Sequence, residues 1–363
     1  MTDRIRAGIV GVGFMGTVHS RAIQRCGGVL VGAVGSTPTK SWEATGRLGA
    51  ERPMETVEEL LAADLDVVHI CTPNASHAPL VRAAIAAGKH VICEKPLAVS
   101  RAEAEELVAL AAEAGVTATV PFVYRFYPTV REARNRVVAG TSGAVRLLHG
   151  SYLQDWLAEE TDDNWRVDAA TGGPSRAFAD IGVHWCDLAE FVSGHRIAAV
   201  AAQTMTAVPR RGGRPVETED AAVVVFRTDR GAVGNVTISQ ITPGRKNRLW
   251  VSVDGEAESL SFDQESPETL WIGGREMNRQ LLRGTAESRY VTVPAGHPQG
   301  YQDCFDAFVA DTYAAIRGET PDGLPTFADG LRAATVTEAV LESARTNAWV
   351  EVPALTVGSE VAA

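Results

Sequence analysis

Ile5-Arg6-Ala7-Gly8-Ile9-Val10-Gly11-Val12-Gly13-Phe14-Met15-Gly16 runs a short apolar stretch straight into three glycines spaced GxGxxG. The apolar part, Ile5–Val10, reads as a buried strand, and the glycines read as the turn into a helix over Gly16–Cys26. In that context each glycine has a job. Gly11 permits the tight turn, Gly13 lets the backbone approach a pyrophosphate, and Gly16 allows the helix to pack closely on the strand. The helix N-terminus then faces the phosphate charge. The stretch therefore predicts a dinucleotide-binding unit with Gly11, Gly13, Phe14, Met15 and Gly16 against the cofactor.

The same theme repeats up to Pro121. Val29–Val34, Asp66–Cys71, His90–Glu94 and Thr117–Val120 are further continuous apolar strands. Helices at Ser76–Ala87 and Ala102–Ala114, the latter capped by Ser100, lie between them. Unbroken apolar strands alternating with helices predict a parallel sheet covered on both faces. From about Phe122 the pattern changes. One helix, Val130–Val138, precedes strand candidates at Val145–Trp156, Ile197–Val208, Ala221–Thr228, Ala232–Gln240, Leu249–Asp254, Glu258–Phe262, Thr269–Ile272 and Tyr290–Val293. Helices at Tyr301–Arg317 and Phe327–Thr346 follow. Consecutive strands joined by turns predict an antiparallel sheet. The expected fold class is thus α/β, with a Rossmann domain over 1–121, an α+β substrate-binding and oligomerisation domain over 122–353, and a disordered-looking tail over 354–363.

Composition narrows the function class. A chain of 363 residues fits two domains, and 45% hydrophobic with 22% charged residues is ordinary globular usage. A net charge of −11 without a basic face argues against a nucleic-acid partner. No apolar run approaches the ~18 residues that span a bilayer, and the N-terminus lacks a secretory pattern, so a cytoplasmic protein with a small-molecule ligand is expected. The five cysteines form no CxxC pair, so neither a disulfide framework nor a metal site is expected.

Three further runs carry chemistry. Enzymes that take NAD usually place an acid after the second strand to hold the ribose 2′-hydroxyl. Here the segment reads Val34-Gly35-Ser36-Thr37-Pro38-Thr39-Lys40. Without the acid, and with Ser36, Thr37 and Lys40 able to receive a 2′-phosphate, NADP is favoured over NAD; the alternative is that Lys40 is a solvated helix-start residue and the site takes either cofactor. Cys71-Thr72-Pro73-Asn74 ends a strand at the carboxyl edge, where Thr72 and Asn74 are expected near the cofactor, or as a turn with Asn74 or Ser76 capping the next helix. His90-Val91-Ile92-Cys93-Glu94-Lys95-Pro96 ends a buried strand on the same edge. On this run alone, a surface ion-paired lysine is the simpler reading of Lys95. The run Asp180-Ile181-Gly182-Val183-His184 decides for chemistry: an acid and an imidazole at i, i+4 on one helix face can share a hydrogen bond that fixes the imidazole tautomer for proton transfer.

Together, Gly11–Gly16, Thr72-Pro73-Asn74 with His77, Gly88-Lys89-His90-Val91 leading into Glu94-Lys95-Pro96, and Asp180-x-Gly-x-His184 with Asp187 resemble the glucose-fructose oxidoreductase / inositol dehydrogenase (Gfo/Idh/MocA) family over nearly the whole chain. The resemblance implies a catalytic set of Lys95, Asp180 and His184, and cofactor contacts that include Pro73, His77, Glu94 and Lys95. It also implies a cis Lys–Pro peptide and a homodimer or homotetramer built through the open face of the C-terminal sheet. The implied substrate is a sugar, anhydrosugar or cyclitol, and polar groups beside aromatics suit its hydroxyls and faces, so Tyr124, Arg125, Asp155, Trp165 and Arg166 are candidates around it with Arg176 and His184; for the first five, interdomain packing and structural hydrogen bonding is an equal reading. Arg176 departs from the usual run of small residues before the Asp motif, and exposure on the surface is its simpler reading. Two other functions occur among relatives of this family, a sugar-sensing regulator and a glycoside hydrolase assisted by transient oxidation. Intact Lys95, Asp180 and His184 argue against the regulator, and product analysis separates the hydrolase.

Overall fold

Strands covered by helices on both faces carry apolar side chains on both faces, and the first part of the chain obeys that rule. In the computed structural model, which describes residues 4–284 and 289–355, six strands form one parallel sheet. They are β1 Arg6–Val10, β2 Val29–Val34, β3 Arg52–Pro53, β4 Val67–Ile70, β5 His90–Cys93 and β6 Ala118–Thr119, in the order β3-β2-β1-β4-β5-β6. The connecting helices are α1 Phe14–Arg25, α2 Pro38–Leu48, α3 Val57–Leu61, α4 His77–Ala86 and α5 Arg101–Ala114. Ser100 caps α5 as expected, its hydroxyl accepting from the Glu103 amide. The segment β3, α2 and α3 is absent from the sequence reading. There Thr37 accepts from the Lys40 amide and Pro38 occupies the first turn, so Lys40 does stand at a helix start, the start of α2.

The second unit starts with α6 Pro128–Val138 and is built on a nine-stranded sheet ordered β16-β15-β14-β13-β7-β12-β11-β8-β17. Its strands are β7 Val145–Leu153, β8 Ile197–Met205, β11 Ala221–Thr228, β12 Val233–Ser239, β13 Arg248–Gly255, β14 Ser259–Asp263, β15 Thr269–Gly273, β16 Arg279–Leu282 and β17 Val350–Glu351. A small hairpin pairs β9 Arg210–Arg211 with β10 Arg214–Pro215. All neighbours in the large sheet are antiparallel except β7 with β12. A short helix, α7 Ala169–Gly172, precedes a turn of π-helix at Phe178–Gly182 that feeds α8 Val183–Ser193. The α8 helix is seated by Trp185, which is fully buried and donates from Nε1 to the Trp250 carbonyl at 2.8 Å. A Cβ on Gly150 of β7 would overlap both groups, so the glycine makes this seat possible.

Two expectations need correction. Tyr290–Val293 is not a strand. Its backbone is held by side chains instead, with Gln299 bonding the Tyr290 carbonyl and the Thr292 amide, and Arg283 bonding the Val293 carbonyl. The edge strand is β16, whose four residues are all exposed and carry no alternation to read. The division at residue 121 is also too simple. Contacts group the chain up to Phe126 with Tyr301–Leu331, and Tyr127–Gly300 with the part from Arg332 onward. Helix α9 Tyr301–Ile316 thus returns to the first unit, where Arg25 pairs with Asp306 at 2.9 Å and Gln302 donates to the Val18 carbonyl. The division falls inside α10 Phe327–Thr346. Most of the expected tail lies outside the described residues.

The second unit also encloses a charged cluster. Asp220 is fully buried and accepts from Arg176 and, at 3.1 Å, from Arg211. Arg211 further donates to the carbonyls of Leu157, Glu159 and Asp162, which pins that loop. Burial alone would raise the Asp220 pKa, but the two guanidiniums and the Val208 amide bring it below the usual carboxylate value. Asp220→Ala would leave two buried cations uncompensated. The expected loss is ~3–5 kcal/mol in urea-unfolding stability, and a loss below about 1 kcal/mol would contradict this account of the cluster.

Candidate active site

In the first unit, β1, β4 and β5 are neighbours and run in parallel, so the turns that follow them share one edge of the sheet. Gly11 has φ +100°, and its amide donates to the Val34 carbonyl at 2.8 Å. A Cβ there would overlap the Cys71 carbonyl, and one on Gly16 would overlap the Gly11 carbonyl. Gly13 is different, because the space where its Cβ would lie is open. It begins α1 with no side-chain cap, and Phe14 beside it is exposed. Free amides at a helix start, with bare backbone before them, fit an anionic pyrophosphate. Arg47 braces this loop by donating to the Val12 carbonyl at 2.6 Å and to Thr17 Oγ1 at 2.7 Å. Only the fold brings it there.

After β2, Lys40 Nζ donates to Ser36 Oγ at 3.1 Å, and Ser41 Oγ accepts from the Gly35 amide. Thr37, expected at the cofactor, spends its hydroxyl capping α2. After β4, Ser76 Oγ turns back to Thr72 Oγ1 and the Pro73 carbonyl and does not cap α4, while Asn74 is buried at the start of a short 3-10 turn. His77 is fully buried. Its Nδ1 lies 2.8 Å from the Pro96 carbonyl and its Nε2 2.9 Å from the Thr72 carbonyl. Burial pushes its pKa down against the pull of those carbonyls. A ring so enclosed ties the two turns together and has no face left for a cofactor, which corrects the expected contact.

Glu94 and Lys95 follow β5. The Glu94 carboxylate is buried, with Oε1 3.1 Å from His19 Nε2 and Oε2 accepting the Lys95 amide at 3.1 Å. Burial opposes its charge, but His19 and Lys95 hold its pKa below the ordinary value. The Lys95–Pro96 peptide is cis, as the resemblance implied. Two expected substrate contacts of this unit are buried. Tyr124 packs near Tyr301, their ring centroids 6.4 Å apart, and Arg125 pairs with Asp329 at 2.7 Å while donating to the Gly323 carbonyl. A guanidinium neutralised inside the fold is a structural tie, so the substrate role expected for Arg125 is corrected.

In the second unit, Asp180 lies in the π-helical turn and His184 in the first turn of α8. The extra residue of a π-turn offsets the simple i, i+4 register on which the sequence argument rested. The Asp180 carboxylate accepts from Gln240 Nε2 at 2.8 Å and lies 3.4 Å from Arg166 Nε. Gln240 is fully buried just beyond β12, and among the described residues its Oε1 has no partner. It was read only as the end of a strand. Arg166, beside Asp180, stacks on Trp165, 4.4 Å from the ring centroid. His184 is buried with the Tyr152 ring 6.4 Å away. Tyr152 Oη and Gln154 Nε2 both donate to Asn247 Oδ1, and Trp156 Nε1 donates to Gln154.

The Asp155 carboxylate accepts from the Gly244 amide and, at 2.6 Å, from Lys246 Nζ, both in the loop after β12. Arg176 is the clearest correction in this unit. It is neither exposed nor available to a substrate, being enclosed with Asp220 and donating from Nε to Thr218 Oγ1. Among the described residues no cluster of His, Cys, Asp and Glu is able to hold a metal, and no helix is long and apolar enough to cross a membrane.

Comparison with known proteins shows the family. Residues 5–122 match the oxidoreductase family with an NAD-binding Rossmann fold, GFO_IDH_MocA, and residues 130–261 match the GFO/IDH/MocA C-terminal domain. A levoglucosan dehydrogenase from Pseudarthrobacter phenanthrenivorans is 30% identical, covering 97% of this chain and 99% of that protein. The solved levoglucosan dehydrogenase in complex with NADH and levoglucosan superposes with a TM-score of 0.91 at 30% identity, over 97% of this chain and 100% of that one. An oxidoreductase domain protein from Kribbella flavida has a TM-score of 0.92 at 35% identity, with coverage of 97% and 100%.

Gly11→Ala tests the dinucleotide turn. The added methyl meets the Cys71 carbonyl at a left-handed φ, so binding of NADH or NADPH, followed by fluorescence, is expected to weaken at least about tenfold. Unchanged binding would contradict the assignment of this turn.

Proposed function

The chain belongs to the Gfo/Idh/MocA family of oxidoreductases, and from that premise we propose that it oxidises a secondary hydroxyl of a sugar, anhydrosugar or cyclitol, or reduces the corresponding ketone. The bound dinucleotide supplies the hydride acceptor. The observation that carries the proposal is the position of Lys95, which follows β5 on the same sheet edge as the glycine turn after β1 and the Thr72 turn after β4. Names of similar proteins support this substrate class, since they include dehydrogenases of levoglucosan and of inositol.

Within this reading Lys95 Nζ hydrogen-bonds the substrate oxygen and stabilises it as a carbonyl forms. His184 takes the hydroxyl proton. Asp180, held by Gln240 and Arg166, orients the imidazole. Trp165 and Arg166 are proposed on the substrate, as the place of Arg166 beside Asp180, stacked on Trp165, supports. NADP is proposed ahead of NAD, because Lys40 and Ser36 stand where a carboxylate would otherwise hold the ribose. The same reading places the protein in the cytoplasm and the subunit contact on the large sheet, where Val223, Val225 and Val233 are exposed.

Absorbance at 340 nm with purified protein, NADP or NAD, and a panel of levoglucosan, other anhydrosugars, inositols and aldoses tests the proposal. A rise with one compound, faster with NADP, is expected. Lys95→Met should lower kcat by about 10²-fold or more while cofactor binding persists; near-wild-type turnover would remove Lys95 from the mechanism. Sedimentation should give a dimer or tetramer that Val225→Glu dissociates, whereas a monomeric wild-type protein would refute the sheet contact.

A further inference from the structure

Beneath Lys95 lie four buried side chains that the mechanism does not use. Tyr313 Oη is 3.2 Å from His69 Nε2, His69 Nδ1 is 2.9 Å from His19 Nδ1, and His19 Nε2 is 3.1 Å from Glu94 Oε1. The other Glu94 oxygen accepts the Lys95 amide. All four come from different elements of the first unit, namely α9, β4, α1 and the turn after β5. The rings pack edge to face, and Phe305, on the same helix as Tyr313, lies against His19 with centroids 5.0 Å apart.

Hydrogen-bond chemistry gives this row a direction. A carboxylate only accepts, so His19 Nε2 carries a proton toward Glu94. In the state in which His19 holds that one proton, its Nδ1 accepts and His69 donates to it from Nδ1. Burial pushes the His69 pKa well below its ordinary value, so His69 has one proton only. Its Nε2 therefore accepts from Tyr313, whose hydroxyl keeps its proton because burial pushes its pKa well up. Every polar atom between Tyr313 and the Lys95 amide is then satisfied in one sense, with each tautomer set by the next group. This matters because a half-satisfied buried network is costly.

We propose that Tyr313, His69, His19 and Glu94 are positioning residues that fix the Lys95 peptide, so that the docking of α9 helps set the lysine at the sheet edge. The role of Lys95 in catalysis rests on the function proposed above, whereas the hydrogen-bond row and its hold on the Lys95 amide do not. Glu94→Gln gives a specific expectation. The amide oxygen still accepts from Lys95, but its NH2 now donates to His19 Nε2, and both imidazoles must exchange tautomers, with Tyr313 becoming the acceptor. Glu94→Ala removes both bonds. Tyr313→Phe removes only the first donor and retains the packing.

The test uses the full chain in three parts. In 15N-histidine NMR, wild type should show His19 protonated at Nε2 and His69 at Nδ1, with both reversed in Glu94→Gln. In amide exchange, Lys95 should be released about threefold to tenfold by Glu94→Ala, less by Tyr313→Phe, and little by Glu94→Gln. With levoglucosan as probe substrate, kcat should fall in Glu94→Ala and recover in Glu94→Gln at an unchanged cofactor KM. Unchanged tautomers in Glu94→Gln, or unchanged Lys95 exchange in Glu94→Ala, would overturn the proposal. So would a raised cofactor KM without altered exchange, which would put Glu94 on the cofactor. Failure to turn over levoglucosan would bear on the proposed function and leave the first two readouts to decide this one.

Discussion

The contact on which the first unit depends is the backbone approach at Gly11, where no side chain fits between the turn after β1 and the carbonyl of Cys71. From there the constraints form a closed ring. The buried His77 ring stands between the next carbonyl, that of Thr72, and the Pro96 carbonyl, in contact with both and donating its one ring proton to one of them. The Lys95 amide bonds Glu94, and Glu94 bonds His19 on α1, the helix that opens at Gly13. Three turns on one edge of the sheet are thereby fixed to one another through buried contacts. Such an arrangement suits chemistry that requires a proton-handling group held to within fractions of an ångström.

The second unit solves a similar problem with different means. Its acid, Asp180, receives donors from Gln240 on one side and Arg166 on the other, and α8 is seated by Trp185 in the space left by Gly150. Arg211 holds the carbonyls of Leu157, Glu159 and Asp162 and shares Asp220 with Arg176, so the loop before Trp165 is anchored from beneath. The arginines that looked available in the sequence serve this anchoring. Removing a charge from such a cluster is costly because its partner stays buried.

What could be read from the sequence was whatever local spacing decides. The glycine turn, the lysine at a strand end and the acid before a helix are short-range patterns, and they led to the right family. Burial is not short-range. Arg125 meets Asp329 and Arg176 meets Asp220 only once the chain has folded, so both read as candidate substrate contacts. Gln240 and Arg47 were passed over for the converse reason, since nothing near them in sequence announces Asp180 or Val12. The sequence predicted a helix at Tyr301–Arg317 but not which unit it joins; its buried face carries Phe305 and Tyr313 to the two histidines of the first unit. Tyr290–Val293 has the composition of a strand, yet Gln299 and Arg283 take up its backbone groups before another strand can.

The central claim is that the carbon losing its hydroxyl proton also gives up its hydrogen to the dinucleotide. Perdeuterated levoglucosan, incubated with the protein and oxidised cofactor, tests this through mass spectrometry and NMR of the recovered cofactor. The account predicts one deuterium at nicotinamide C4 for each molecule of ketone formed. A substrate converted without deuterium in the cofactor, or bound without conversion, would contradict it.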